Sequence, residues 1–211
     1  MLDVISRRLR FGPLSRLYDH WALVKWEKRG RPIPPPSTFK RRLLIDFARR
    51  FECAILVETG TYRGDTLWVL RNDFVCLYSI ELDPQLYAAA VNRFAGISNV
   101  TLISGDSGEK LGEVLDNLHE RAIFWLDGHY CGPGTGIGAE MAPVMKEMEA
   151  IFADDIKDHI VLLDDARDFI GRAGYPTVKA LRAWVQSRRP GWVVEVADDV
   201  IRVYPEPDKA G

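Results

Sequence analysis

Five short apolar runs punctuate residues 54–165: AILVETG (54–60), CLYSIEL (76–82), NVTLISGD (99–106), AIFWLDG (122–128) and HIVLLDD (159–165). Helix-like stretches separate them, near 64–71, 84–94, 109–119 and 139–152. Runs that are apolar on both faces need cover on both faces, and helical crossovers between them make the strands parallel. The pattern predicts an α/β unit with helices on each side of a parallel sheet. Its end differs, because WVVEVADD (192–199) runs almost directly into VIRVYP (200–205). So short a connection permits only an antiparallel hairpin.

A different kind of segment precedes this unit. Residues 1–42 hold eleven Lys or Arg against three Asp or Glu, while the remainder holds 17 against 27. Leu2, Ile5, Leu9, Leu17, Trp21 and Val24 recur among those cations, with Gly12-Pro13 interrupting, which predicts two short amphipathic helices. The segment RPIPPPS (31–37) is a stiff extended linker. We therefore divide the chain into a basic helical arm with its Pro-rich linker, 1–37, and a catalytic-sized domain, 38–211, opened by a helix over about 38–51. Such an arm can cap an active site, lie peripherally on an acidic membrane or meet the acidic body of a neighbouring subunit in a homo-oligomer. Trp21 and Trp26 among its cations would also suit nucleic acid. The acidic body argues against a nucleic-acid partner.

No uninterrupted apolar stretch approaches the roughly 18 residues of a transmembrane helix, and Arg7, Arg8, Arg10 and Arg16 break any leader-like core. Cys53, Cys76 and Cys131 show no metal-ligand spacing, as expected in a reducing compartment. A cytoplasmic protein is expected.

The first strand ends in ETGTYRG (58–64), where a dinucleotide-binding fold would carry G-x-G-x-x-G. The E-x-G-x-x-x-G found there needs a tight turn at Gly60 and a small residue at the helix start, Gly64, but builds no phosphate cradle. A plain strand-to-helix turn reads the same way. Strand two ends in SIELDP (79–84), about 20 residues on, where nucleoside-binding folds place an acid on the ribose hydroxyls. Glu81 suits that role, and Asp83, just before Pro84, is more simply an N-cap. After strand three, Asp106 in GDS (105–107) can accept from an adenine amine or, with Glu109 three residues on, form a capping box.

Taken in order, ETGTYRGDT, YSIELDP, SGDS and FWLDGHY resemble class I S-adenosylmethionine (SAM)-dependent methyltransferases across about residues 52–205. The resemblance implies a Rossmann-like three-layer sandwich with strand order 3-2-1-4-5-7-6. It implies SAM as cofactor, with Glu58, Gly60, Tyr62, Gly64, Glu81, Asp106 and Ser107 around it. SAM has no phosphate to cradle. Its methionine end needs close backbone approach, as at Gly60, and an acceptor for its ammonium group, as at Glu58.

That strand order brings strands four and five side by side, so Asp127 meets Asp164 and Asp165 at the ligand-binding rim. Uncompensated, three clustered carboxylates repel one another, and a hard divalent cation such as Mg²⁺ would relieve this. The same pattern is similar to the metal-dependent macrocin O-methyltransferase type, which implies Mg²⁺ on Asp127, Asp164 and Asp165 and a sugar hydroxyl as acceptor. Asp127 and His129 are then the catalytic candidates, His129 as base, although that type carries an acid at the corresponding place. The glycine-rich CGPGTGIGAE (131–140) reads as a lid, an acceptor loop or a plain connection, and lacks a P-loop ending. Two other functions share these features. A metal-dependent glycosyltransferase would also use adjacent acids after an apolar strand, and a non-catalytic binding protein of the fold would leave the basic arm as the working part.

Overall fold

The computed structural model describes residues 15–128, 143–154 and 158–206. Among these, helix α1 (Ser15–Lys28) and helix α2 (Ser37–Arg50) precede the sheet. Then follow β1 (Ile55–Thr59), α3 (Asp65–Leu70), β2 (Cys76–Glu81), α4 (Pro84–Arg93), β3 (Val100–Ser104), α5 (Ser107–Leu115) and β4 (Ala122–Leu126). The chain continues through α6 (Val144–Ala153), β5 (Ile160–Leu163), a 3₁₀ turn (Ala166–Asp168), α7 (Val178–Arg188), β6 (Val193–Ala197) and β7 (Val200–Tyr204). The strands form one sheet in the order β3-β2-β1-β4-β5-β7-β6. Pairings among β1 to β5 are parallel and β6 pairs β7 antiparallel, as the run pattern predicts, and β7 also pairs β5 antiparallel, as the strand order implied by the resemblance requires. No described helix is long and apolar enough to cross a membrane.

Strand alternation splits the core into two layers. Ile55, Val57, Phe124, Leu126, Val161 and Leu163 face the layer that holds α5, α6 and α7. Leu56, Leu77, Ile123, Trp125, Ile160 and Leu162 face the layer that holds α2 and α3. By the same alternation Glu58, Ser79, Glu81, Asp127 and Asp164 belong to the α2 side, which gathers the chemistry-bearing ends on one face.

The β6–β7 turn is built from Asp198 and Asp199, both with positive φ (52° and 63°), the geometry of a tight two-residue hairpin. Helix α7 had no counterpart among the helices expected from sequence. Its signal was present in Leu181, Trp184 and Val185 at helical spacing and in Thr177, which caps it by accepting from Ala180 N at 3.1 Å. Of the two expected arm helices, the first lies outside the described residues.

The described part of the arm is docked onto the domain. Trp26 is buried and packs on Phe39 of α2 with ring centroids 4.7 Å apart. Thr38 Oγ1 donates to Asp19 Oδ1 at 2.7 Å, Arg41 lies 3.5 Å from the same oxygen, and Arg31 reaches Asp198 at 2.6 Å. The linker thus runs from α1 to the hairpin turn, and α2 starts beside the C-terminal ends of β4 and β5.

Candidate active site

The turn after β1 is shaped by neighbouring backbone. Gly60 has φ +83°, and a β-carbon there would lie 2.7 Å from the Asp127 carbonyl oxygen, so only glycine lets β1 and β4 close on each other. Tyr62 adopts φ 49°, rare for a bulky residue, and is held there because its N–H donates to Glu81 Oε2 at 2.7 Å. Its ring is exposed at the rim. Gly64 begins α3 with φ +68°, and a β-carbon there would meet the Phe94 ring at 2.7 Å.

Glu58 is 3% exposed. Ser79 Oγ donates to its Oε2 at 3.0 Å, and Thr61 Oγ1 lies 2.7 Å from Ser79 Oγ, so a hydroxyl chain leads from the glycine turn to the carboxyl. Burial pushes the Glu58 pKa up from 4.5 to about 8; the Ser79 hydrogen bond opposes this and the charge on Asp127 adds to it. A neighbouring cation would favour its ionised form. Glu58 is therefore a buried acid suited to a charged amine.

Glu81 is also buried, and both its oxygens are engaged: Oε2 by Tyr62 N and Oε1 by Asp83 N at 2.9 Å. It ties the β1 turn to the start of α4, and each oxygen keeps a second lone pair for a ligand hydroxyl. Asp83 caps α4, accepting from Gln85 N at 2.8 Å and Leu86 N at 3.0 Å, as its position before Pro84 predicts. Asp106 caps α5, accepting from Gly108 N at 2.9 Å. Buried Ser107 approaches the end of β4, its Oγ 3.2 Å from where a β-carbon on Gly128 would stand.

Asp127, Asp164 and Asp165 converge as the strand order implies, with carboxylate oxygens within 4.8 Å of one another. Asp164 and Asp165 are buried and Asp127 is partly exposed. Asp165 takes a left-handed backbone, φ 54°, with its N–H on Asp164 Oδ1 at 2.8 Å.

The cluster also has cations beside it, which the reading of the strand ends did not include. Lys40 of α2 bonds Asp164 Oδ2 through Nζ and lies 3.8 Å from Asp165 Oδ1. Arg167 Nη1 lies 2.8 Å from Asp165 Oδ1 and bonds Asp199, which also accepts from Arg167 N at 2.9 Å. Burial alone would lower the Lys40 pKa, but Asp164 first, then Asp127 and Asp165, outweigh it and leave it raised. Two acids thus have cations of their own, neither legible in a scan for strand-end acids. His129, the base candidate, and residues 131–140 lie outside the described residues.

Comparison with solved structures bears on the fold. The chain is similar to the SAH-bound methyltransferase PaMTH1 of Podospora anserina (TM-score 0.54, 16% identity, 98% of this chain and 95% of that one). It is also similar to the O-methyltransferase TomG of Streptomyces achromogenes in complex with SAM (TM-score 0.55, 15% identity, 89% of each chain). A third is the O-methyltransferase from Bacillus cereus in complex with SAH (TM-score 0.52, 13% identity, 88% and 90%). No protein-family model and no curated protein matches the sequence. The likenesses show the methyltransferase fold.

Proposed function

We propose that the chain is a SAM-dependent methyltransferase that methylates a hydroxyl of a small acceptor, a sugar or a glycosylated natural product. The observation that carries it is the pairing, on one sheet face, of a phosphate-free glycine turn backed by buried Glu58 and Glu81 with a carboxylate cluster at the next strand ends. Glu58 holds the cofactor's ammonium group and Glu81 its ribose, with Tyr62, Gly64, Asp106 and Ser107 lining the remainder. The solved SAM and SAH complexes of this fold support SAM as the cofactor.

The acceptor oxygen attacks the sulfonium methyl carbon, the S–CH₃ bond breaks to release the thioether, and the hydroxyl proton passes to Asp127, the more exposed acid.

Mg²⁺ does not enter this proposal. Three carboxylates fit a hard cation by donor chemistry, but Lys40 and Arg167 already neutralise two of them. Isothermal titration with S-adenosylhomocysteine (SAH) tests the cofactor, and SAH should bind where nucleotide-sugars do not. In the Asp127→Asn variant SAH binding should persist while methyl transfer to a screened acceptor is lost. Preferential binding of a nucleotide-sugar would instead point to a glycosyltransferase.

A further inference from the structure

The cation that faces the acid cluster comes from the helix after the linker. Lys40 lies in the first turn of α2, 124 residues from Asp164 in sequence, yet its ammonium sits on a carboxylate whose side chain is 1% exposed. The turn that carries it is braced by Thr38 on Asp19 and by Phe39 on Trp26. Lys40 Nζ lies 6.0 Å from the ring centroid of Trp125 of β4. On the other side Arg167, anchored by Asp199, covers Asp165. An ammonium on Asp164 and a divalent ion on the same carboxylate would stand as like charges close together in a partly buried site, so each weakens the hold of the other.

We propose that Lys40 is the resident cation of the acceptor site, standing where a divalent ion would engage Asp164, so that free metal competes with the lysine instead of completing the site. This rests on reading the cluster as the acceptor side of a methyltransferase. It makes Lys40 a positioning residue that holds Asp164 and offers positive charge to an acceptor oxygen. It also makes the arm and its linker, which brace the start of α2, part of the site's electrostatics.

The test uses Mn²⁺ alone, with the free ion counted by electron paramagnetic resonance, on the full chain and its Lys40→Met, Lys40→Gln and Lys40→Arg variants. Lys40→Met and Lys40→Gln should bind one Mn²⁺ at least about tenfold more tightly than the parent, since removing the ammonium leaves buried carboxylates seeking a cation. Lys40→Arg should behave as the parent, and adding Asp164→Asn to Lys40→Met should abolish the gain. Mn²⁺ should raise the melting temperature of Lys40→Met and leave the parent's unchanged, a contrast that lost packing would not produce. Parent protein that binds Mn²⁺ as tightly as Lys40→Met, or neutral variants that gain no binding, would overturn the proposal. SAH titrated into the same preparations reads the cofactor site separately: if SAH fails to bind, the methyltransferase reading falls, while the Mn²⁺ comparison still decides whether Lys40 stands in the cation's place.

Discussion

Replacing Glu58 by glutamine tests the electrostatics of the cofactor rim against a magnitude. The side chain is 3% exposed, and burial raises its pKa from 4.5 to about 8. Between these values an unfolded chain has released its proton while the folded chain retains it. Folding is therefore disfavoured progressively as pH rises from about 4.5 to about 8, and the contribution is most favourable below that window. Each pKa unit is worth about 1.4 kcal/mol, so Glu58 should cost about 3 kcal/mol of stability between about pH 5 and about pH 7. The amide of Glu58→Gln carries no charge at any pH and keeps a carbonyl oxygen for Ser79 Oγ, so this slope should vanish. Urea denaturation of both proteins across that range gives the difference directly, and other titrating groups, Asp164 and His159 among them, largely cancel. The variant should become more stable than the parent, with the gap widening by about 3 kcal/mol toward neutral pH. Parallel profiles would refute the buried-acid account. The same variant probes function. If Glu58 must ionise to hold an ammonium, SAH binding near neutral pH releases a proton, seen as a buffer-dependent enthalpy in the parent and absent in Glu58→Gln, whose affinity should also fall.

Two further perturbations follow from local geometry. Gly60→Ala puts a β-carbon 2.7 Å from the Asp127 carbonyl at φ +83°, whereas a β-carbon on Gly112 of α5 meets nothing within 4 Å. Gly60→Ala should cost about 1–3 kcal/mol and weaken SAH binding, and Gly112→Ala should be neutral or stabilising by about 0.5–1 kcal/mol; equal melting temperatures for the two variants would contradict this account of the turn. His159 is 1% exposed and accepts Ala122 N–H on Nδ1 at 3.1 Å, and burial lowers its pKa below 6.5. The neutral ring's contribution is therefore present above about pH 6.5 and lost as pH falls toward the folded pKa, so His159→Asn should flatten that acid limb in urea titrations.

Much of the scaffold was legible in the sequence because it depends on short-range patterns. Double-faced apolar runs separated by helical periods leave few topologies, and the abutting runs at 192–205 demand a hairpin. Asp83 could be read as a cap because a cap acts on amides two and three residues away. Helix α7 was missed because its apolar spacing is short and flanked by charge. Glu81 was placed at the rim from its offset alone, but its hold on Tyr62 N depends on a turn 19 residues earlier folding back to it.

The sequence by itself determined which residues stand at the strand ends, since a period of two and the helical crossovers leave little freedom there, and so it placed Glu58, Glu81, Asp127, Asp164 and Asp165 on one rim. Only the tertiary structure decided what charge meets them. Counting acids along the strands suggested repulsion that called for a metal; folding brings Lys40 from α2 and Arg167 from the turn after β5 onto those carboxylates. Coulomb energy depends on separation in space and on burial, not on distance along the chain, so a lysine that reads as one more cation near a basic arm becomes the partner of a buried aspartate.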